Sequence, residues 1–129
     1  MNNSVLVLLV EDQALILDIL EEALKDAKFD VLTADSGAAA LAILDRQHSD
    51  LAVLVSDIRL GGGPNGWEVA RRARELRPSL PVIYMTGDSA SDWAAQGVPK
   101  SVLLQKPFAP VQVVTAVAML LNEASLRTD

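Results

Sequence analysis

The 129-residue sequence has no cysteine, no excess of basic residues and no long hydrophobic run. Without cysteine there is no disulfide, no thiolate metal site and no cysteine nucleophile, which fits a reducing compartment. The formal net charge of -6 argues against nucleic acid as a direct ligand. The longest early apolar run, Val5–Val10, is far too short to cross a bilayer and follows no basic stretch. We therefore expect a cytoplasmic protein with neither a signal peptide nor a transmembrane segment.

Half of the residues are hydrophobic (50%), so the chain has enough apolar surface to fold and disorder is not expected. The length predicts one domain, residues 1–129, with a core from about residue 4 to about residue 124. The last residues, SLRTD, are expected to form a frayed end.

Five stretches rich in β-branched residues and leucine predict strands. VLVLLV, LAVLVS and LPVIYM are typical of strands buried on both faces of a parallel sheet, and DVLTA and SVLLQ of shorter strands. Helical patterns separate them, with Ser36 as a predicted cap and Pro110 in a predicted first turn. This alternation predicts an α/β fold: a doubly wound, five-stranded parallel sheet with five helices on both faces. Two apolar stripes mark the helices: Ile16, Ile19, Leu20, Ala23, Leu24 and Ala27, then Val69, Ala70, Ala73 and Leu76.

Polar side chains follow four of the predicted strands, where ligands bind in sheets of this kind. Glu11 and Asp12 follow the first strand, Asp57 the third, Thr86 the fourth and Lys106 the fifth. If the first and third strands are neighbours, three carboxylates converge, and their repulsion raises at least one pKa unless a cation is present. Hard oxygen ligands with room for water and phosphate oxygens favour Mg²⁺.

These motifs, in the contexts VLVSDIR, IYMTGD and LLQKPF, closely resemble the receiver domain of two-component response regulators, the CheY-like family. Each motif is weak alone, but together they occur in the family's order and spacing over almost the whole chain. The resemblance implies strand order 2-1-3-4-5. It also implies a phosphoacceptor that catalyses only its own phosphorylation and dephosphorylation, and is otherwise not an enzyme.

The resemblance implies a role for each matching residue. Asp57 is the expected phosphoacceptor, attacking the phosphohistidine of a sensor histidine kinase or histidine phosphotransfer protein. Asp12 is expected to ligate Mg²⁺ together with Asp57 and the backbone carbonyl of Arg59, while Glu11 holds the metal through water.

On the phosphoryl side of the same site, Thr86 is expected to hydrogen-bond a phosphoryl oxygen and Lys106 to pair with the phosphoryl group. The Lys106–Pro107 bond is expected to be cis, which a proline makes physically accessible. Mg²⁺ and Lys106 would offset the charge on the transferred group, as phosphoryl transfer requires.

Each residue also has a structural interpretation. Asp12 can be a helix N-cap, Thr86 a strand-end hydroxyl that bonds backbone, and Lys106 a solvated lysine. Two other functions are open to the same architecture. An aspartate-dependent phosphohydrolase typically needs a second Asp where this chain has Arg59, and a flavodoxin-like module needs a glycine- and hydroxyl-rich first loop, where this chain has EDQAL.

The sequence departs from the family in three places. Leu103 stands where the family usually has an aromatic residue that switches with the threonine, so we hypothesise activation through the loop after the fourth strand, with Gly87 providing mobility. The loop IRLGGGPNGW carries extra glycines, which predict a mobile pocket edge. Arg59 and Asp88 can bridge the pocket mouth and hinder the water that attacks the phosphoryl group.

The last helix has no charged residue over VQVVTAVAMLL, although one apolar stripe would suffice to cover the sheet. This predicts a homodimer or partner contact through the fourth helix, fifth strand and fifth helix, the alternative being side chains that cover one another. The sequence leaves open the cognate kinase, the target and the signal. It equally fits a stand-alone regulator, a relay intermediate or a receiver excised from a hybrid kinase.

Overall fold

A computed structural model describes residues 5–126 of the chain. The predicted core boundary at residue 4 and the terminal residues 127–129 lie outside the described residues. The expected fraying is wrong for Ser125 and Leu126, which belong to the last helix. The elements in chain order are β1 (Leu6–Val10), α1 (Ala14–Asp26), β2 (Asp30–Ala34), α2 (Gly37–Gln47), β3 (Val53–Asp57), α3 (Gly66–Leu76), β4 (Val82–Thr86), α4 (Trp93–Gln96), β5 (Val102–Gln105) and α5 (Pro110–Leu126).

The strands form one parallel sheet in the order β2-β1-β3-β4-β5. This confirms the predicted doubly wound fold and its strand order. Val10 lies opposite Ser56, and Asp57 lies opposite Met85. The carboxyl ends of β1, β3 and β4 therefore meet at one edge of the sheet, where side chains from all three can share a site.

Residues of the three central strands alternate between two cores, one on each face of the sheet. Leu8, Leu54 and Tyr84 are buried on the face that α2 and α3 cover. Val7, Val55 and Ile83 are buried on the face that α1 and α5 cover. Burial on both faces explains why these strands are continuous apolar runs in the sequence.

The helix starts follow local chemistry. The Ser36 hydroxyl accepts a hydrogen bond from the Ala39 amide at 3.1 Å, which confirms the predicted cap of α2. Pro110 is the first residue of α5, also as predicted. Asn65 and Glu68 form a capping box at α3. Within residues 5–126, no helix combines the length and apolar character needed to cross a membrane.

Candidate functional site

The carboxyl edge of the sheet opens into a cavity of about 380 Å³ beside the ends of β1, β3 and β4. Five of the six sequence-predicted site residues line it: Asp12, Asp57, Arg59, Thr86 and Lys106. Glu11, the sixth, is fully buried (0% exposed) and is close enough to contribute a carboxylate oxygen to the same cluster. The structure thus brings all six residues to one place.

Three carboxylates meet at this site. One oxygen each from Glu11, Asp12 and Asp57 lies within 4.8 Å of the others. Asp57 is 5% exposed, whereas Asp12 is open to solvent. Asp12 does not cap α1, because the N-cap is Gln13 and its side chain makes no capping bond. The N-cap interpretation of Asp12 is therefore wrong, and its carboxylate faces the cavity instead.

Glu11 has an unsatisfied oxygen. Its Oε2 accepts a hydrogen bond from the Gln13 amide at 3.2 Å, but its buried Oε1 has no hydrogen-bond partner. The Lys106 ammonium lies 3.5 Å from Oε1, a distance typical of a loose ion pair rather than a hydrogen bond. A buried acceptor without a partner is costly, and a cation or its bound water would satisfy it.

Burial and the neighbouring Asp57 carboxylate raise the pKa of Glu11 from its ordinary 4.5 to about 7. Burial is the larger cause, since it disfavours the charged form in a poorly solvated position. The Gln13 amide and Lys106 partly offset the rise. Three acids and one lysine leave this edge of the sheet short of positive charge.

Lys106 extends into the acidic cluster. Its Nζ lies 3.2 Å from Asp57 Oδ2, and its side chain is 25% exposed. Burial lowers the pKa of Lys106, but the carboxylates of Asp57 and Glu11 outweigh it and the net shift is upward. Lys106 is therefore a charged partner of Asp57 and not a freely solvated lysine. The Lys106–Pro107 peptide bond is cis, as the resemblance implied.

The Thr86 side chain is buried at the end of β4 and organises the backbone that follows. Its Oγ1 accepts hydrogen bonds from the amides of Ser89 at 2.7 Å and Asp88 at 3.2 Å. The structural interpretation of Thr86, as a strand-end hydroxyl that bonds backbone, is therefore confirmed. Both lone pairs of the hydroxyl are used, so its O–H hydrogen remains available as a donor to an acceptor in the cavity.

Arg59 and Asp88 form an ion pair at the cavity mouth. Arg59 Nε lies 3.0 Å from Asp88 Oδ2, and the two side chains are 75% and 55% exposed. Ser89 Oγ donates to Asp88 Oδ1 at 3.1 Å, which orients the carboxylate. So exposed a pair adds little to stability, and both of its residues line the cavity.

The β3–α3 loop is fixed at both ends. Gly66 N donates to Ile58 O at 2.8 Å, and a Cβ on Gly66 would lie 2.3 Å from the Asp57 carbonyl oxygen. On the outer side, a Cβ on Gly37 would lie 2.0 Å from the Pro64 carbonyl oxygen. Only the tip has free space, because a Cβ on Gly62 meets nothing within 4 Å. The mobility of the pocket edge stays a prediction.

Two contributors to the site were missed in the sequence analysis. Gln13 lines the cavity, and its backbone amide donates to Glu11 Oε2. Ser89 bonds both Thr86 and Asp88. Gln13 comes directly after the acidic pair, and Ser89 comes three residues after the threonine. These positions are the only sign of either residue in the sequence.

Comparisons with known proteins agree with this geometry. A family model described as the response regulator receiver domain matches residues 7–118. The alginate biosynthesis transcriptional regulatory protein AlgB of Pseudomonas putida is 36% identical over 122 residues, covering 93% of this chain and 27% of that protein. The DNA-binding transcriptional regulator NtrC of Escherichia coli is 35% identical over 105 residues, covering 80% and 22%. The chain spans about a quarter of the length of these relatives.

Among solved structures, a response regulator receiver protein from Sinorhizobium medicae WSM419 is 43% identical, with a TM-score of 0.89 over 93% of this chain and 96% of that one. A receiver domain protein from Clostridium thermocellum has a TM-score of 0.84 at 23% identity, which supports the fold alone. Since the family model covers most of the chain, the protein belongs to the family of response regulator receiver domains.

Proposed function

We propose that the protein accepts a phosphoryl group on Asp57 from the phosphohistidine of a sensor histidine kinase or a histidine phosphotransfer protein. The observation that carries the proposal is the position of Asp57, almost buried, 3.2 Å from the Lys106 ammonium and within the carboxylate cluster. Phosphorylation then alters the protein's contacts with partners. The protein catalyses only its own phosphorylation and dephosphorylation, and we place it in the cytoplasm as one domain over residues 1–129.

In the proposed step, an Asp57 carboxylate oxygen attacks the phosphorus atom while the phosphorus–nitrogen bond of phosphohistidine breaks. The electron pair of that bond leaves with the imidazole, and an acyl phosphate forms on Asp57. Lys106 offsets the charge on the phosphoryl oxygens, and the free Thr86 O–H donates to one of them. The protein thus supplies positioning and charge neutralisation, which are the main needs of phosphoryl transfer.

We propose that Asp12, Asp57 and the Arg59 backbone carbonyl hold Mg²⁺, with Glu11 bound through a water molecule. All four donors are hard oxygen atoms, the type that Mg²⁺ prefers. The unpartnered Glu11 Oε1 supports the fit, since a metal-bound water would give it a donor. When bound, the metal supplies charge neutralisation and a template for the phosphoryl oxygens.

The alternatives fit less well. A phosphohydrolase of this architecture typically needs a second Asp at position 59, where this chain has Arg59, a cation paired with Asp88. A flavodoxin-like phosphate site is opposed by the buried acid Glu11 and by Asp12 in the first loop. NtrC is named as a DNA-binding regulator, but this chain's net charge of -6 favours output through protein contacts rather than direct DNA binding.

We further propose that two copies of the chain associate through α4, β5 and α5. Val113 and Val117 of α5 cover the sheet, yet Val111 and Met119 remain 63% and 60% exposed. With Val102 and Leu104, these exposed residues line an apolar groove of about 580 Å³. Lys100 and Glu123 line the same groove, so a two-fold-related copy can pair its acid with the lysine of the other.

The phosphoacceptor proposal is tested by intact mass after incubation with Mg²⁺ and acetyl phosphate. We expect the wild type to gain one phosphoryl group, the gain to disappear with a chelator, and Asp57→Asn to gain none. Asp88→Asn is the matched control, because it removes another carboxylate that lines the cavity. A wild type that takes phosphate neither from acetyl phosphate nor from phosphorylated histidine kinases would overturn the proposal.

A further inference from the structure

The segment from Gly87 to Val98, which contains α4, is held at its two ends by side chains of β4. Thr86 Oγ1 accepts from the amides of Asp88 and Ser89 at the start. The Tyr84 hydroxyl accepts from the Val98 amide, at 3.1 Å, at the end. Residues two apart on a strand point to the same face, so both oxygens act from one side of β4.

The attachment at the end of the segment, between Val98 and Tyr84, is rigid. Tyr84 is fully buried, and its ring lies 4.7 Å from the ring of Trp67 in α3 at an interplanar angle of 60°. On its other side, β5 places Leu103 next to Tyr84 in the sheet register, and Leu103 packs into the same core. A ring enclosed by α3 and by the core cannot shift without opening a cavity.

The middle of the segment is loosely held by comparison. Between Ser89 and Val98, both buried, every residue is exposed or half-exposed, and α4 is four residues long with no buried member. Trp93 is 36% exposed and donates through Nε1 to Ser101 Oγ at 2.9 Å. Arg71 reaches the Gln96 carbonyl oxygen at the long distance of 3.3 Å.

We infer that Tyr84 is a positioning residue that keeps Val98 stationary, so that residues 88–97 pivot about Val98 when Asp57 is phosphorylated. This inference rests on the proposed function. A charged phosphoryl oxygen is a strong acceptor, and moving the Thr86 hydroxyl toward it lengthens the hydrogen bonds that its oxygen accepts from Asp88 and Ser89. The start of the segment is released while its end stays fixed.

The test is hydrogen exchange of the full chain, resolved by residue with NMR, with Mg²⁺ and with or without fluoroberyllate as phosphoryl mimic. In the wild type we expect the mimic to change exchange at residues 88–97 and to leave residues 98–101 unchanged. Tyr84→Phe keeps the ring and removes the acceptor, so we expect about fivefold faster exchange of the Val98 amide even without mimic. With mimic, the change should extend into residues 98–101. Arg71→Ala is the matched control, because it removes the hydrogen bonds to Gln96 but leaves the Val98 amide bonded to Tyr84.

Unchanged Val98 exchange in Tyr84→Phe would overturn the inference, as would a mimic-dependent change at residues 98–101 in the wild type. Measuring the intact mass of the same preparations after incubation with acetyl phosphate distinguishes a failure of the pivot from a failure of the proposed function. Phosphoryl uptake without any change at residues 88–97 contradicts the pivot and leaves the phosphoacceptor intact. No uptake from acetyl phosphate or from phosphorylated histidine kinases contradicts the proposed function, whereas the Tyr84→Phe exchange without mimic still decides whether Tyr84 holds Val98.

Discussion

At the residue scale, the buried Glu11 is the residue that most supports the proposed cation site. Its carboxylate is removed from water, lies near Asp57 and leaves Oε1 without a hydrogen-bond donor. Lys106 interacts with both acids but satisfies only Asp57 at hydrogen-bond distance. A divalent cation with its water would resolve the charge and the missing bond together.

The raised pKa of Glu11 predicts how stability depends on pH without metal. Because the pKa is about 7 in the folded protein and 4.5 ordinarily, the folded state binds more protons between these values. The free energy of unfolding should therefore fall as pH rises from about 4.5 to about 7 and level off above, by about 3 kcal/mol at most. Urea unfolding at a series of pH values measures this.

Two controls sharpen the pH experiment. Glu11→Gln should remove most of the slope, and Mg²⁺ should stabilise the wild type more at pH 7 than at pH 5, because it binds the ionised carboxylates. The raised pKa of Lys106 adds no slope here, since that lysine is charged in both states at these pH values. A metal-free stability that rises from pH 5 to pH 7 would contradict the raised pKa of Glu11.

The Arg59–Asp88 pair predicts a slow loss of the phosphoryl group. Removing either side chain uncovers the cavity mouth to water, so Arg59→Ala and Asp88→Ala should each shorten the phosphoryl half-life several-fold. Stability should change by less than about 1 kcal/mol, because both side chains are more than half exposed. Arg72→Ala, which breaks an exposed pair with Asp45 elsewhere, is the matched control. Unchanged half-lives in both site variants would remove the proposed gate.

At the element scale, the β3–α3 loop combines rigid ends with a free tip, and its glycines are not equivalent. Gly61 and Gly63 have φ values of 75° and 83°, which glycine adopts readily. Gly66 and Gly37 instead allow close backbone contact with Asp57 and Pro64. In the same loop, Arg59, whose backbone carbonyl is a proposed Mg²⁺ ligand, lies between Ile58 and Leu60, and each of these neighbours is 3% exposed.

This difference predicts opposite results for two glycine substitutions. In Gly66→Ala the new Cβ would lie 2.3 Å from the Asp57 carbonyl oxygen, so we expect a clear loss of stability and slower phosphorylation. In Gly62→Ala the new Cβ meets nothing within 4 Å, so stability should stay level or rise by up to about 1 kcal/mol. Urea unfolding of both variants tests the prediction, and equal losses would contradict it.

The strands and their ends were predictable, whereas the details between them were not. Apolar runs such as VLVLLV carry a strong signal because the central strands are buried on both faces. The four-residue length of α4 has no such signal, since all four of its residues are exposed. Likewise, nothing local indicates that Ser89 bonds Thr86.

At the scale of the whole molecule, the apolar groove along β5 and α5 predicts association. We expect sedimentation to show a dimer, weakened by Met119→Glu, which places a charge in the groove. Leu15→Glu is the matched control, because Leu15 is 74% exposed but lies on α1, away from the groove. A monomer at all concentrations, with and without phosphoryl mimic, would contradict the dimer.

The site as a whole was predictable because four short motifs lie at the ends of four strands that a parallel fold brings together. Their electrostatic balance was not, since it depends on distances: 3.2 Å from Lys106 to Asp57 against 3.5 Å to Glu11. Arg59 and Asp88 were named as a possible bridge from their opposite charges, and the structure confirms the contact. Its effect on phosphoryl lifetime stays a prediction.

The most direct measurement of the central claim locates the phosphoryl group on the chain. The protein is phosphorylated with acetyl phosphate and Mg²⁺, the acyl phosphate is reduced with borohydride, and the modified residue is identified by peptide mass spectrometry. Reduction at Asp57 alone, lost when the metal is chelated, is the predicted result. Modification at Asp12 or Asp88 instead, or no modification by either acetyl phosphate or phosphorylated histidine kinases, would contradict the account.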